Sequence, residues 1–249
     1  MKKLFLAAIP LIAFASCSVN INGFNIEKDA DFNLSDSRTE TVQIETDNIE
    51  KLNVDIDVGQ CSVKFGESDN AEIVGTYKCS GVDKNKVSEA LKDIKLKYEI
   101  RNDTLYISFN DYKNFALISR ITDLEITLPK SFCDFDISTD VGDIKLNELS
   151  GSFDIYADVG TVTAKNIALN GDSRIKSDVG DIDVSITDAA ECKFEISADV
   201  GDVDFDTQGI DYTEKDVSKD TVSEKYELII GQKCQAELSA DVGDITIRK

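Results

Sequence analysis

Aspartate is the residue whose type and spacing in this chain could do chemistry. The triplet Asp-Val-Gly stands at 57–59, 140–142, 158–160, 178–180, 199–201 and 241–243. From the second copy on, the spacings are 18, 20, 21 and 42 residues, the last being twice 21. A fixed period of this length marks stacked repeats, so the aspartates fall into columns. One column precedes the valine: Asp140, Asp158, Asp178, Asp199 and Asp241. The other follows the glycine: Asp143, Asp181, Asp202 and Asp244, interrupted by Thr161. At the strand spacing of about 4.8 Å, two carboxylates repel by about 0.9 kcal/mol in water and about 3.5 kcal/mol at an effective dielectric of 20. One arrangement that offsets this is an Asp accepting backbone N–H bonds at the corner, worth about 0.5–1.5 kcal/mol each. The other is collection of Ca2+ by paired columns, with Asp140, Asp143, Asp178, Asp181, Asp199, Asp202, Asp241 and Asp244 as ligands. The chain lacks the nonapeptide spacing and glycine density of calcium-binding β-rolls, so capping is the first expectation, calcium the second and diffuse counter-ion binding the third.

Other chemistries find little to work with. The 249 residues include no histidine, which removes the commonest general base and zinc ligand and every Ser-His or Cys-His triad. A net charge of −21 speaks against nucleic acid, whose phosphates need a basic surface. Polysaccharide-cleaving β-helices generally use aromatic platforms or basic groups. Here Tyr156 is the main outward aromatic of the repeats, and it reads as a solitary sheet-face residue. The expectation is therefore a protein that is not an enzyme and holds no cofactor beyond Ca2+. Of the six cysteines, Cys133, Cys192 and Cys234 each lie eight residues before a repeat valine. Cys192 and Cys234 would be stacked neighbours, close enough for a disulfide or present as buried thiols. A Cys61–Cys79 pair is conceivable, and no pair has redox or zinc spacing.

The elements that must position these residues follow from alternation. Phe135, Ile137, Thr139 and Val141 fall on one side, Asp136, Ser138 and Asp140 on the other. The later copies repeat this, always with a small residue two before the valine, which places the valines on the apolar inner face. After each glycine the alternation restarts: Ile144/Leu146, Val162/Ala164, Ile182/Val184, Val203/Phe205 and Ile245/Ile247. Each repeat is thus a strand, a tight glycine corner and a shorter strand. Stacked, they predict an all-β fold: a parallel β-solenoid, a right-handed β-helix in the sense of parallel crossovers, over 130–249. Val184-Ser185-Ile186 aligns with Tyr226-Glu227-Leu228, leaving 206–225 as a surface excursion or, alternatively, a degenerate rung. Residues 41–129 read as a β-rich N-terminal cap. It holds one rung at 54–65, a short helix at 83–94, a hairpin of strands 95–101 and 104–109, and a strand 124–128. Arg248 and Lys249 end the last rung, where their charge would discourage end-to-end stacking.

Lys2 and Lys3 before the apolar run Leu4–Phe14 are a secretory leader, too short and too interrupted by Pro10 to span a bilayer. Phe14-Ala15-Ser16-Cys17 resembles a bacterial lipobox, with Phe14 in place of the usual leucine. The resemblance implies cleavage after residue 16, lipidation of Cys17, and a tether over 17–40. Two acyl chains would anchor the chain stably to a membrane. Ile126-Thr127-Leu128-Pro129-Lys130, followed by rungs such as Ile137-Ser138-Thr139-Asp140-Val141-Gly142-Asp143-Ile144, is similar to the bacterial putative adhesin family. That resemblance covers roughly 41–249. It implies a parallel β-helix in a secreted or lipid-anchored protein with no assigned chemistry. The expected role is an adhesin-like binding or structural module of the cell envelope, at the outer membrane or cell surface, meeting an unknown protein or glycan. The alternative is a divalent-cation-binding or envelope-stress accessory built on the Asp columns.

Overall fold

The computed structural model describes residues 34–110, 118–187, 191–206, 208 and 211–249. The leader and Cys17 lie outside the described residues. The N-terminal part runs β1 (Leu34–Glu45), β2 (Lys51–Val58), β3 (Cys61–Phe65), β4 (Asn70–Gly81), α1 (Lys84–Asp93), β5 (Leu96–Arg101), β6 (Thr104–Phe109) and β7 (Ile118–Leu128). Three corner pairs follow: β8 (Asp134–Val141) with β9 (Ile144–Asn147), β10 (Ser150–Val159) with β11 (Val162–Leu169), and β12 (Ser173–Val179) with β13 (Ile182–Ile186). The chain ends with β14 (Cys192–Val200), β15 (Val203–Phe205), β16 (Glu214–Lys219), β17 (Glu224–Ile229), β18 (Cys234–Val242) and β19 (Ile245–Arg248).

The fold is all-β and solenoid-like. The first arms of successive corners pair in parallel, residue on equivalent residue: Ile137 with Ile155, Ile155 with Ile175, Ile175 with Leu238. The second arms do the same, Ile144 with Val162 and Val162 with Ile182. Alternation explains the register. Phe135, Ile137, Phe153, Ile155, Ile144 and Val162 are buried, and a slip of one residue would turn every one of them outward. Phe135 and Phe153 stack at 5.2 Å between ring centroids. The small column, Thr139, Ala157, Ser177, Ala240 and Ala198, is buried as expected, and Ile56 holds the same place in the β2 rung. Each buried large apolar side chain contributes roughly 1.5–3 kcal/mol.

The order of the rungs is not the order of the chain. The C-terminal corner β18–β19 sits between β12–β13 on one side and β14–β15 on the other. Arg248 therefore lies inside the stack, its guanidinium 2.7 Å from Asp183, rather than guarding an open end. The outermost edge belongs to β14, which β17 covers in antiparallel sense and β16 extends. Residues 226–228 accordingly oppose 194–196 in the first-arm sheet. The alignment with 184–186 is corrected, and the 206–225 excursion ends inside a hairpin that closes the sheet. Beside it, the edge strand β15 has its Val203 N–H bonded to the buried Glu224 carboxylate at 2.9 Å, which Lys219 neutralises at 3.2 Å.

The same transposition occurs at the other end. β6 pairs parallel with β2, and β7 with β3, so the expected cap supplies two full rungs of the coil. Antiparallel strands close these edges, β5 on β6, β4 on β7, and β1 on β4. β1 begins at Leu34, so residues 34–40 are strand rather than tether. The expected helix is present as α1. Asp83 caps it by accepting the Asn85 and Lys86 N–H groups, and Val87, Ala90 and Leu91 pack with Tyr77, Cys79 and Ile94 in a second small core. Among the described residues no helix is long and apolar enough to cross a membrane.

Candidate functional site: the Asp-Val-Gly edge

All the corners meet along one edge of the stack. Gly59, Gly142, Gly160, Gly180, Gly243 and Gly201 have φ between +147° and +158°. A Cβ added at Gly180 would lie 2.1 Å from the Gly160 carbonyl oxygen, and at Gly142 1.7 Å from that of Gly59. Backbone is stacked on backbone here, which only glycine permits. Each glycine N–H donates to the valine carbonyl of the next rung, at 2.9 Å for Gly142 to Val159 and for Gly160 to Val179. Gly201, in the outermost rung, donates to Val222 in the β16–β17 turn at 3.2 Å. The turn thus places a seventh valine in line.

Those valines face solvent, which corrects the alternation. Val58, Val141, Val179, Val242 and Val200 are 37–49% exposed and Val222 61%; Val159 is half-buried. The pairing explains why. Thr139 opposes Ala157 and Val141 opposes Val159, while Asp140 and Asp158 between them drop out of the ladder. The chain leaves the sheet plane at the aspartate, so Asp140 and Val141 both turn outward. The result is an apolar column with an acidic column on each flank.

The flanks differ. After the glycine, each aspartate caps its neighbour. Asp143 accepts the Thr161 N–H at 3.0 Å, Asp181 the Asp244 N–H at 2.9 Å, and Asp244 the Asp202 N–H at 2.9 Å. Asp123, at the same position in β7, accepts the Gln60 N–H at 2.8 Å. Asp202 has no further rung to cap, and its carboxylate meets Lys219 Nζ at 2.9 Å. Before the valine, Asp140, Asp158, Asp199 and Asp241 are exposed. Asp178 accepts the Tyr156 hydroxyl at 2.7 Å and pairs with Lys176 Nζ at 2.6 Å. Burial raises the Asp178 pKa, but Lys176 and Tyr156 together pull it below the usual carboxylate value. The same hydrogen bond pushes the Tyr156 phenol up to about 12. Tyr156 is thus tied into the acidic column rather than solitary. Among the described residues no group of three or more carboxylates and thiols converges as a metal would require.

Cys192 and Cys234 lie on adjacent rungs, 4.5 Å apart at Cα, and form a disulfide. Cys61 and Cys79 are both free and buried, in separate apolar clusters, which removes that conceivable pair. Cys133 is free and exposed. A second surface lies away from the repeats. An open groove of ≈ 670 Å³ runs beside the β5–β6 hairpin, lined by Tyr98, Tyr106, Arg101, Asn53 and Asp55 among others. Its signal is the alternation of apolar Leu96, Tyr98 and Ile100 with charged Lys97, Glu99 and Arg101, which reads only as a hairpin.

The family model Toastrack DUF4097 matches residues 131–248. A putative cell adhesion protein from Clostridium sporogenes has a similar structure, with a TM-score of 0.55 and 18% identity over 86% of this chain and 99% of that one. A putative adhesin from Bacteroides fragilis aligns with a TM-score of 0.25 and 11% identity over 84% of this chain and 97% of that one. The first of these supports the fold; no curated protein matches the chain. Residues 131–248 thus match the Toastrack DUF4097 family, and this match supports the resemblance of the chain to the putative adhesin family.

Proposed function

We propose that this chain is a non-enzymatic, adhesin-like binding module of the cell envelope. Lipid on Cys17 anchors it at the outer membrane or cell surface, and a right-handed coil presents the Asp-Val-Gly edge to a macromolecular partner. The observation that carries this reading is the outward valine column. A fold gains nothing from a row of six exposed apolar side chains and a half-buried seventh, and contiguous apolar surface of this kind marks interaction sites. The similarity to a putative cell adhesion protein supports a place at the cell surface. The test is cell attachment by a strain displaying the full chain, compared with one carrying threonine for Val141, Val159 and Val179. Attachment should fall severalfold with surface display unchanged, and equal attachment would overturn the reading. Replacing Cys17 by serine should release the chain from the membrane and abolish acyl labelling.

A further inference from the structure

We propose that the partner of this edge is a cationic amphipathic helix, one with a single apolar stripe bordered by lysines or arginines. The inference rests on reading the edge as the binding surface, and adds what that surface would recognise.

The valine's backbone has a structural duty that its side chain does not share. Its carbonyl accepts the glycine N–H of the preceding rung or, at Val58, the Thr122 hydroxyl, and any residue would supply that carbonyl. Strand propensity favours valine, yet other outward positions on the same arms carry Asp, Ser, Lys, Arg, Glu and Tyr. In seven consecutive places the outward residue is Val58, Val141, Val159, Val179, Val242, Val200 and Val222. At about 4.8 Å per rung the row is about 29 Å long. A helix of about 19 residues has the same length.

The corner also dictates what kind of backbone can dock. The glycine N–H and valine C=O groups along the edge already bond one another, so the edge offers no ladder for an added strand. A docking segment must therefore bring its own backbone bonds satisfied, which a helix does. Charge selects its borders. Asp140, Asp158, Asp178, Asp199 and Asp241 line one flank and Asp143, Asp181, Asp202 and Asp244 the other. A second copy of this chain would set those carboxylates against their own kind, and an anionic membrane would be repelled in the same way. A partner with cations on both sides of an apolar stripe meets the edge as a polar rim meets a hydrophobic centre.

The test is fluorescence anisotropy with the full chain and synthetic 19-residue helical peptides in about 0.15 M salt, near physiological ionic strength. One peptide has a leucine stripe flanked by lysines. A second has the same composition scrambled, and a third has glutamate for every lysine. The expected result is binding of the striped lysine peptide at least tenfold tighter than the scrambled one. The triple variant V141T/V159T/V179T should lose that margin while its circular-dichroism melt is unchanged, because threonine keeps the β-branch. D140N/D158N/D199N should weaken binding and flatten its salt dependence. Equal binding of striped and scrambled lysine peptides would overturn the proposal. If the glutamate peptide binds as tightly as the lysine one, the cationic partner is wrong but the edge stands as a binding surface. If neither striped peptide separates wild type from the valine variant, the edge falls as a binding surface too.

Discussion

The two acidic columns of the Asp-Val-Gly edge have one residue type, one period and one spacing, yet they carry different duties. After the glycine, the carboxylate points along the stack and accepts the N–H of the adjacent rung, as at Asp143, Asp181 and Asp244. Before the valine, where the chain leaves the sheet plane, the carboxylate points to solvent, as at Asp140 and Asp199. Repulsion within the first set is offset by bonds to backbone donors that would otherwise be unsatisfied. Within the second, Lys176 offsets repulsion at Asp178 and, at 3.5 Å, at Asp241. The direction of the side chain at a corner thus separates a cap from an exposed charge.

The largest break in this arrangement is at the hinge shared by both columns. Gly180→Ala puts a Cβ 2.1 Å from the Gly160 carbonyl oxygen at a φ of +147°. Backbone strain and overpacking each cost roughly 1–3 kcal/mol, so denaturant melts should show a loss of about 3 kcal/mol or more. The columns themselves differ by less. Asp181→Ala removes the acceptor of the Asp244 N–H and should cost about 1 kcal/mol. Asp140→Ala should change stability by less than about 0.5 kcal/mol, as surface substitutions usually do. Equal losses at the two positions would erase the distinction between the flanks.

A pH titration sharpens it at Asp178, where the solvent-facing column holds a phenol. The Tyr156 phenol, held by Asp178, has its pKa raised from 10.0 to about 12. A raised folded-state value means the stabilisation is complete below pH 10 and is lost as pH rises towards 12. Tyrosinate absorbance should show one phenol of the folded chain ionising late. Asp178→Asn should bring it back towards 10, and an unchanged titration would show that the carboxylate does not hold the phenol.

How much of this was legible in the residues depends on whether backbone or side-chain direction decided it. The glycine corners, the inner columns and α1 followed from period and alternation, because a packed parallel ladder imposes both. The outward turn of Val141 was hidden. Alternation was carried through the corner, whereas the ladder drops Asp140 and Asp158 and resumes one residue later. The place of the C-terminal rung was hidden for a different reason. Val242 satisfies Val179 and Val200 equally well, so a 42-residue gap fits either order of stacking. Val222 carries no glycine after it, and only the bond from Gly201 reveals its place in the row.

The smallest expected effect concerns calcium, and it tests both columns together. For Ca2+ to bind specifically, several oxygens must turn towards one point, since the ion takes six to eight ligands. Asp143, Asp181 and Asp244 each have one oxygen on a neighbouring N–H, and Asp202 is engaged by Lys219. The outward column is offset from these by the valine and the glycine. Calcium should therefore act as any divalent counter-ion does, screening Asp140, Asp158, Asp199 and Asp241 and raising the melting temperature slightly. Magnesium at equal ionic strength should raise it by the same amount, because screening depends on charge and not on coordination geometry. A melting temperature that rises with micromolar calcium, and not with magnesium, would mean that the caps open to form a site. The two columns would then be one ligand set rather than two kinds of aspartate.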